Sequence, residues 1–131
     1  MQSFNVKTSA RNDFKDITRE VSQAVAATGV SEGICVVYVP HTTAGVTINE
    51  NADPAVRVDI EGALDRIIPW NGPYKHSEGN SAAHVKASLM GFSAMIPVRG
   101  GMLVLGTWQG IYFCEFDGPR TRTVHVQAIP S

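Results

Sequence analysis

Residues 92–129 read FSAMIPVRGGMLVLGTWQGIYFCEFDGPRTRTVHVQAI, and this stretch decides the fold. It divides into apolar or alternating runs with glycine-rich breaks between them. FSAMIPV turns at Arg99-Gly100-Gly101 into MLVLG, GTWQG leads into IYFCEF, and DGPR leads into TRTVHVQAI. Runs of this length, bounded by short turn sequences, predict four strands in an antiparallel meander.

Outward from that block, the remainder mixes helix and strand. SAAHVKASLM (81–90) predicts a short helix ended by Gly91, and PWNGPYKHSEGNSA (69–82) a long loop of the kind that is functional or mobile in small domains. Asp53-Pro54 is a helix start, an N-cap acid with proline at N1, running to about residue 68 with Val56, Ile60, Leu64 and Ile67 inward. HTTAGVTINE (41–50) holds a strand over 44–49, and ICVVYV (34–39) a buried strand ended by Pro40. DITREVSQAVAATG reads as a helix with Asp16 as N-cap, Ile17, Val21, Ala24 and Val25 on one face, and Gly29 at its end. Residues 2–9 alternate as a first strand through Phe4, Val6 and Thr8. The order β-α-β-β-α-α-β-β-β-β is α+β.

The chain has 131 residues, 44% hydrophobic and 18% charged, which suits one globular domain, 1–131. A net charge of −1 excludes the broad basic surface of a dedicated nucleic-acid binder. No apolar run approaches a membrane span, and the N-terminus shows no signal-peptide core, so a cytoplasmic protein is expected. Cys35 and Cys114 lie within apolar runs and read as buried, reduced thiols.

Three of the four histidines fall at junctions. His41 is at a strand corner, His76 in the long loop, and His84 in the first turns of the helix that follows. Three imidazoles with an open position are what a catalytic divalent ion needs. Spacing alone favours three unrelated surface or half-buried histidines. His125 alternates with Val124 and Val126 and reads as a strand-surface residue. Glu50 ends an apolar strand, where a charge must reach solvent or a partner, and it could act as general base or support a ligand. Asp53 is explained by capping, and Asp59 by the wet face of its helix. Glu115 is as readily outward and solvated as paired. Arg120 and Arg122, two apart after the Gly-Pro turn, could share one anion or form a charged hairpin tip. Lys86 follows His84 by two. Trp108 could wall a pocket or fill a core corner.

HTTAGVTINENADP, EGNSAAHVKASLMG and GTWQGIYFCEFDGPRTR together resemble, in order, three signature blocks of the YjbQ-like family, also labelled secondary thiamine-phosphate synthase. The resemblance runs from about Phe14 to the C-terminus. It implies an α+β fold, an antiparallel β-sandwich of seven to eight strands with about three helices, assembled as a homotrimer. It also implies a weak thiamine-phosphate synthase activity on a small phosphorylated substrate. The family's site residues fall on His41, His76 and His84, on Asn49 and Glu50, and on Arg120. On that basis the three histidines are expected to hold a divalent metal, zinc or magnesium. Imidazoles suit zinc better, since magnesium prefers oxygen ligands. Glu50 is then an acid–base group, and Arg120 and Lys86 stabilise a departing diphosphate. A metal-dependent hydrolase, or a metal- or small-ligand-binding trimer with incidental synthase activity, is the alternative. Relatives often carry an acid where this chain has Ala82. Six strand residues at about 3.3 Å each put His41 and Glu50 roughly 20 Å apart. The two serve one site only if the chain bends or a subunit interface brings them together from different chains, which fits a trimer.

Overall fold

The computed structural model describes residues 1–131. Eight strands and three helices run β1 (Gln2–Lys7), β2 (Asp13–Asp16), α1 (Thr18–Thr28), β3 (Gly33–Tyr38), β4 (Ala44–Glu50), α2 (Pro54–Ile67), α3 (Ser81–Met90), β5 (Ser93–Arg99), β6 (Met102–Leu103), β7 (Gln109–Glu115) and β8 (Thr121–Pro130). The strands form two antiparallel sheets. One has five strands in the order β1-β8-β3-β5-β6, and the other has three in the order β2-β7-β4.

This is the expected α+β sandwich, but its C-terminal strands are not a meander. Only β5 and β6 form a hairpin, with Val98 opposite Leu103. β7 crosses to the smaller sheet, where it pairs with β2 and β4. β8 returns to the larger sheet and lies between β1 and β3. The physical reason is visible in β7, whose residues Gly110 to Glu115 are all buried. A strand apolar on both sides must be covered on both faces, and a single-sheet meander would leave one face bare.

Ile111 and Phe113 of β7 face the sandwich interior with Val37, Val46, Ile96, Val124 and α1 residues Val21 and Val25. Tyr112 and Cys114 face the other way, into a second cluster with Phe14, Leu64, Ala83, Ala87 and Phe116. Helices α2 and α3 therefore cap the outer face of the smaller sheet. At the α3 side the approach is close. Val46 N–H donates to Gly91 O at 3.0 Å, and a Cβ at Gly45 would lie 2.5 Å from that carbonyl oxygen. Glycine in the TTAGV stretch is thus a packing requirement.

Local signals set the element ends. Asp53 caps α2 by accepting from Ala55 N–H at 2.9 Å with Pro54 at N1, and Gly29 closes α1 at φ 72°. Asp16 ends β2 instead of serving as the formal N-cap of α1, yet its carboxylate still accepts from Thr18 N–H at 2.9 Å. In α2, Ile67 is 70% exposed. The next residue, Ile68, is buried in the place expected for it. Both cysteines are free and buried. Burial pushes the Cys35 thiol up to about 11 and raises Cys114 further. No helix is long and apolar enough to cross a membrane.

Candidate functional site

At one end of the sandwich, three connections meet: β3 to β4, β7 to β8, and the long loop that feeds α3. They enclose a cavity of about 440 Å³ without a single hydrophobic lining residue. His41, His76, His84, Arg120 and Arg122 all line it. Four of the residues expected to carry chemistry are therefore brought together from segments up to 79 positions apart.

His76 and His84 stand edge to face, with ring centroids 5.1 Å apart. His76 Nε2 is 3.8 Å from Glu78 Oε2, too long for a hydrogen bond. His41 is engaged differently. Thr123 N–H donates to its Nε2 at 2.9 Å, so Nε2 keeps its lone pair and Nδ1 carries the proton in the neutral ring. Burial, and after it the Arg122 guanidinium, hold the His41 pKa below 6.5.

The two arginines behave unlike each other. Arg122 is buried and forms a two-pronged pair with Glu115, which is 0% exposed. Its Nε donates to Glu115 Oε1 at 2.8 Å, and its terminal nitrogen donates both to Glu115 Oε2 and to Thr43 Oγ1, the latter at 2.8 Å. Glu115 also accepts from Thr8 Oγ1 and from the backbone N–H groups of Phe116 and Asp117. The Arg120 side chain is 52% exposed and held only by Asp117, through the backbone oxygen at 2.8 Å and Oδ2 at 3.0 Å. That leaves guanidinium donors free to meet an anion. The same carboxylate accepts from Asn80 Nδ2 at 2.9 Å, tying the loop to the turn. A Cβ at Gly118 would lie 2.3 Å from Ala10 O, so only glycine lets this turn close.

Two expected members lie elsewhere. Glu50 is at the far end of β4, opposite Gln109, with no place in this cavity. Lys86 emerges on another side of α3 and pairs with Asp65. Trp108 neither walls a pocket nor fills the core, being 63% exposed. Ala82 is fully buried. Glu115, Asp117 and Asn80 were not singled out for the site from sequence. Asp117 and Gly118 in the DGPR turn were the available signal.

The donor set fits a metal ion only in part. His76 and His84 are adjacent, but His41 presents a protonated Nδ1, and no group of three His, Cys, Asp or Glu side chains stands where one ion could be shared.

A two-sheet sandwich backed by two helices, with a polar histidine and arginine cavity at one end, defines the class of protein. The family model described as UPF0047 protein YjbQ-like matches residues 2–131, and the chain belongs to that family. It is 51% identical over 128 residues to the UPF0047 protein YugU of Bacillus subtilis, covering 97% of each chain. With a UPF0047 protein of Methanocaldococcus jannaschii it shares 52% over 126 residues, 96% of this chain and 91% of the relative. Among solved structures, a YjbQ/UPF0047-family protein from Clostridium acetobutylicum superposes with a TM-score of 0.96 at 58% identity, covering 98% of this chain and all 100% of that one. A YbjQ-like protein from Sulfolobus solfataricus gives 0.95 at 34% identity, over 99% and 96% of the two chains.

Proposed function

We propose that the histidine cavity binds a phosphorylated small molecule and supports a weak thiamine-phosphate synthase reaction. In that reaction the C–O bond of a pyrimidine methyl diphosphate breaks, the thiazole nitrogen bonds to the freed carbon, and diphosphate leaves with the electron pair. The observation that carries the reading is the convergence of three histidines with the free guanidinium edge of Arg120 around a cavity that has no apolar wall. Such a lining suits an anionic leaving group, because donors aimed at its oxygens stabilise the charge as it develops. Arg120 is the direct contact. Arg122 is neutralised by Glu115 and shapes the wall. In this reading His76 and His84 donate a proton to diphosphate. Within one chain Glu50 and Lys86 lie outside this cavity, and Glu50 would join it only across a subunit interface. The test is formation of thiamine phosphate from the two purified substrates, with Arg120→Ala and His84→Ala as controls. Product formation equal in all three proteins would assign the activity elsewhere, and none in any would remove it.

A second reading is a divalent-cation site, zinc or magnesium, with the synthase activity incidental or a hydrolase in its place. The 5.1 Å approach of His76 and His84 favours it. It would require the His41 ring to release Thr123 N–H. Elemental analysis after zinc loading, with each histidine replaced in turn, distinguishes the two. Binding that survives His41→Ala but not His84→Ala would describe a two-histidine site.

We also propose a cytoplasmic homotrimer. Support for the assembly comes from the outer face of the larger sheet, where Ile34, Met95, Met102 and Ile129 are exposed and Ile34 lies opposite Ile129. Exposed apolar side chains on one sheet face suit burial against another copy of the chain.

A further inference from the structure

Lys86 follows His84 by two residues, which on a helix is a rotation of about 200°. It therefore leaves the histidine cavity behind and enters a separate one of about 340 Å³. Its side chain is only 2% exposed, and its ammonium meets one acceptor, Asp65 Oδ1. An ammonium has three N–H donors. Two are left without a protein acceptor, and the Phe116 ring 5.9 Å away is a poor substitute.

Asp65 is also held by Asn12, whose Nδ2 lies 3.0 and 3.2 Å from the two carboxylate oxygens. That contact fixes the amide, since turning it over would set its oxygen against the carboxylate. Asn12 Oδ1 is then buried with no donor. Asn12, Asp65 and Lys86 line the cavity with Arg11, Trp70 and Asn71. The Arg11 guanidinium is held 4.0 Å from the centroid of the Trp70 ring. Two cations thus face one carboxylate, and the unfilled positions are cationic donors beside one amide acceptor. Buried polar groups of this kind are costly to leave unpaired.

We infer that this cavity binds a small oxyanion carrying a hydroxyl, namely hydrogen phosphate or a 2-hydroxycarboxylate. The oxyanion accepts from Lys86 Nζ and Arg11, and the hydroxyl donates to Asn12 Oδ1. A cation is repelled by Arg11 and Lys86, and an apolar ligand satisfies none of the open groups. The site is independent of the histidine cavity and of the reaction proposed there.

Phosphate, glycolate and acetate, titrated separately into the full chain, test this through the indole N–H resonances of its two tryptophans. Trp70 lines the cavity and Trp108 does not, so phosphate or glycolate should move the Trp70 signal alone at millimolar concentration. Arg11→Ala, at an exposed position, and Lys86→Met should each weaken that titration roughly ten- to a hundredfold. Arg120→Ala should leave it unchanged. Acetate, which lacks the hydroxyl, should bind more weakly than glycolate. A Trp70 signal that stays still with both phosphate and glycolate overturns the site. So does an Arg11→Ala titration matching the unaltered protein, or loss of the shift in Arg120→Ala. Equal affinity for acetate and glycolate overturns the Asn12 contact.

Discussion

Replacing Arg122 by methionine tests whether the cavity wall is built on a buried charge pair. Glu115 is 0% exposed, and Arg122 supplies two of the five donors on its carboxylate and the only cation. Methionine keeps most of the volume and removes the charge. Breaking a buried pair from one side costs about 3–5 kcal/mol. Thr8 and the N–H groups of Phe116 and Asp117 remain on the carboxylate, so the loss should fall near the lower end, about 3 kcal/mol. For a domain of this size, that corresponds to a fall in Tm of about 12 °C. Adding Glu115→Gln removes the stranded charge and should recover a good part of the loss, leaving a coupling energy above about 1 kcal/mol in the double-mutant cycle. Urea unfolding of the four proteins at neutral pH measures it. A loss below about 1 kcal/mol for Arg122→Met would mean that water reaches Glu115, and the reasoning would fail.

The neighbouring Arg120 should behave in the opposite way: Arg120→Ala should shift stability by less than about 0.5 kcal/mol, because its pair is exposed and screened, while weakening phosphate or diphosphate binding in calorimetry. Lysine there should restore little if the contact is two-pronged. For His41, burial and Arg122 hold the folded pKa below 6.5. The unfolded chain therefore takes up the proton first as pH falls. Stability should be intact above 6.5 and decline as pH drops from there through the folded value. His41→Gln should flatten that slope in urea midpoints, and an unchanged slope would assign it to another group. Light scattering should give three times the 14.1 kDa chain mass. A monomer at micromolar concentration would exclude the trimer.

Features governed by neighbouring residues were legible in the chain. Asp53-Pro54, Gly29 and the residues 81–90 marked helix ends because caps and breakers act within one turn. His41, His76, His84 and Arg120 stood out as polar groups at element ends, which is where side chains from different segments can meet. Lys86 follows His84 by two, a spacing that leaves its direction open in the bare sequence, and on a helix such residues point to nearly opposite sides. Glu50 stands out as a charge ending an apolar strand, and within one chain the length of β4 keeps it from the His-Thr-Thr corner. β2 was missed because Asp13–Asp16 contains a single buried residue, Phe14, and pairs only through β7, about a hundred positions later. Alternation along β7 could not tell whether Glu115 met solvent or a partner. That depended on Arg122 and Thr8 arriving from two other segments. Glycine turns likewise announced strands without saying which sheet each would join. Strand pairing is a contact between distant residues, and the burial of β7 on both faces, which local pattern leaves open, sent the last two strands to different sheets.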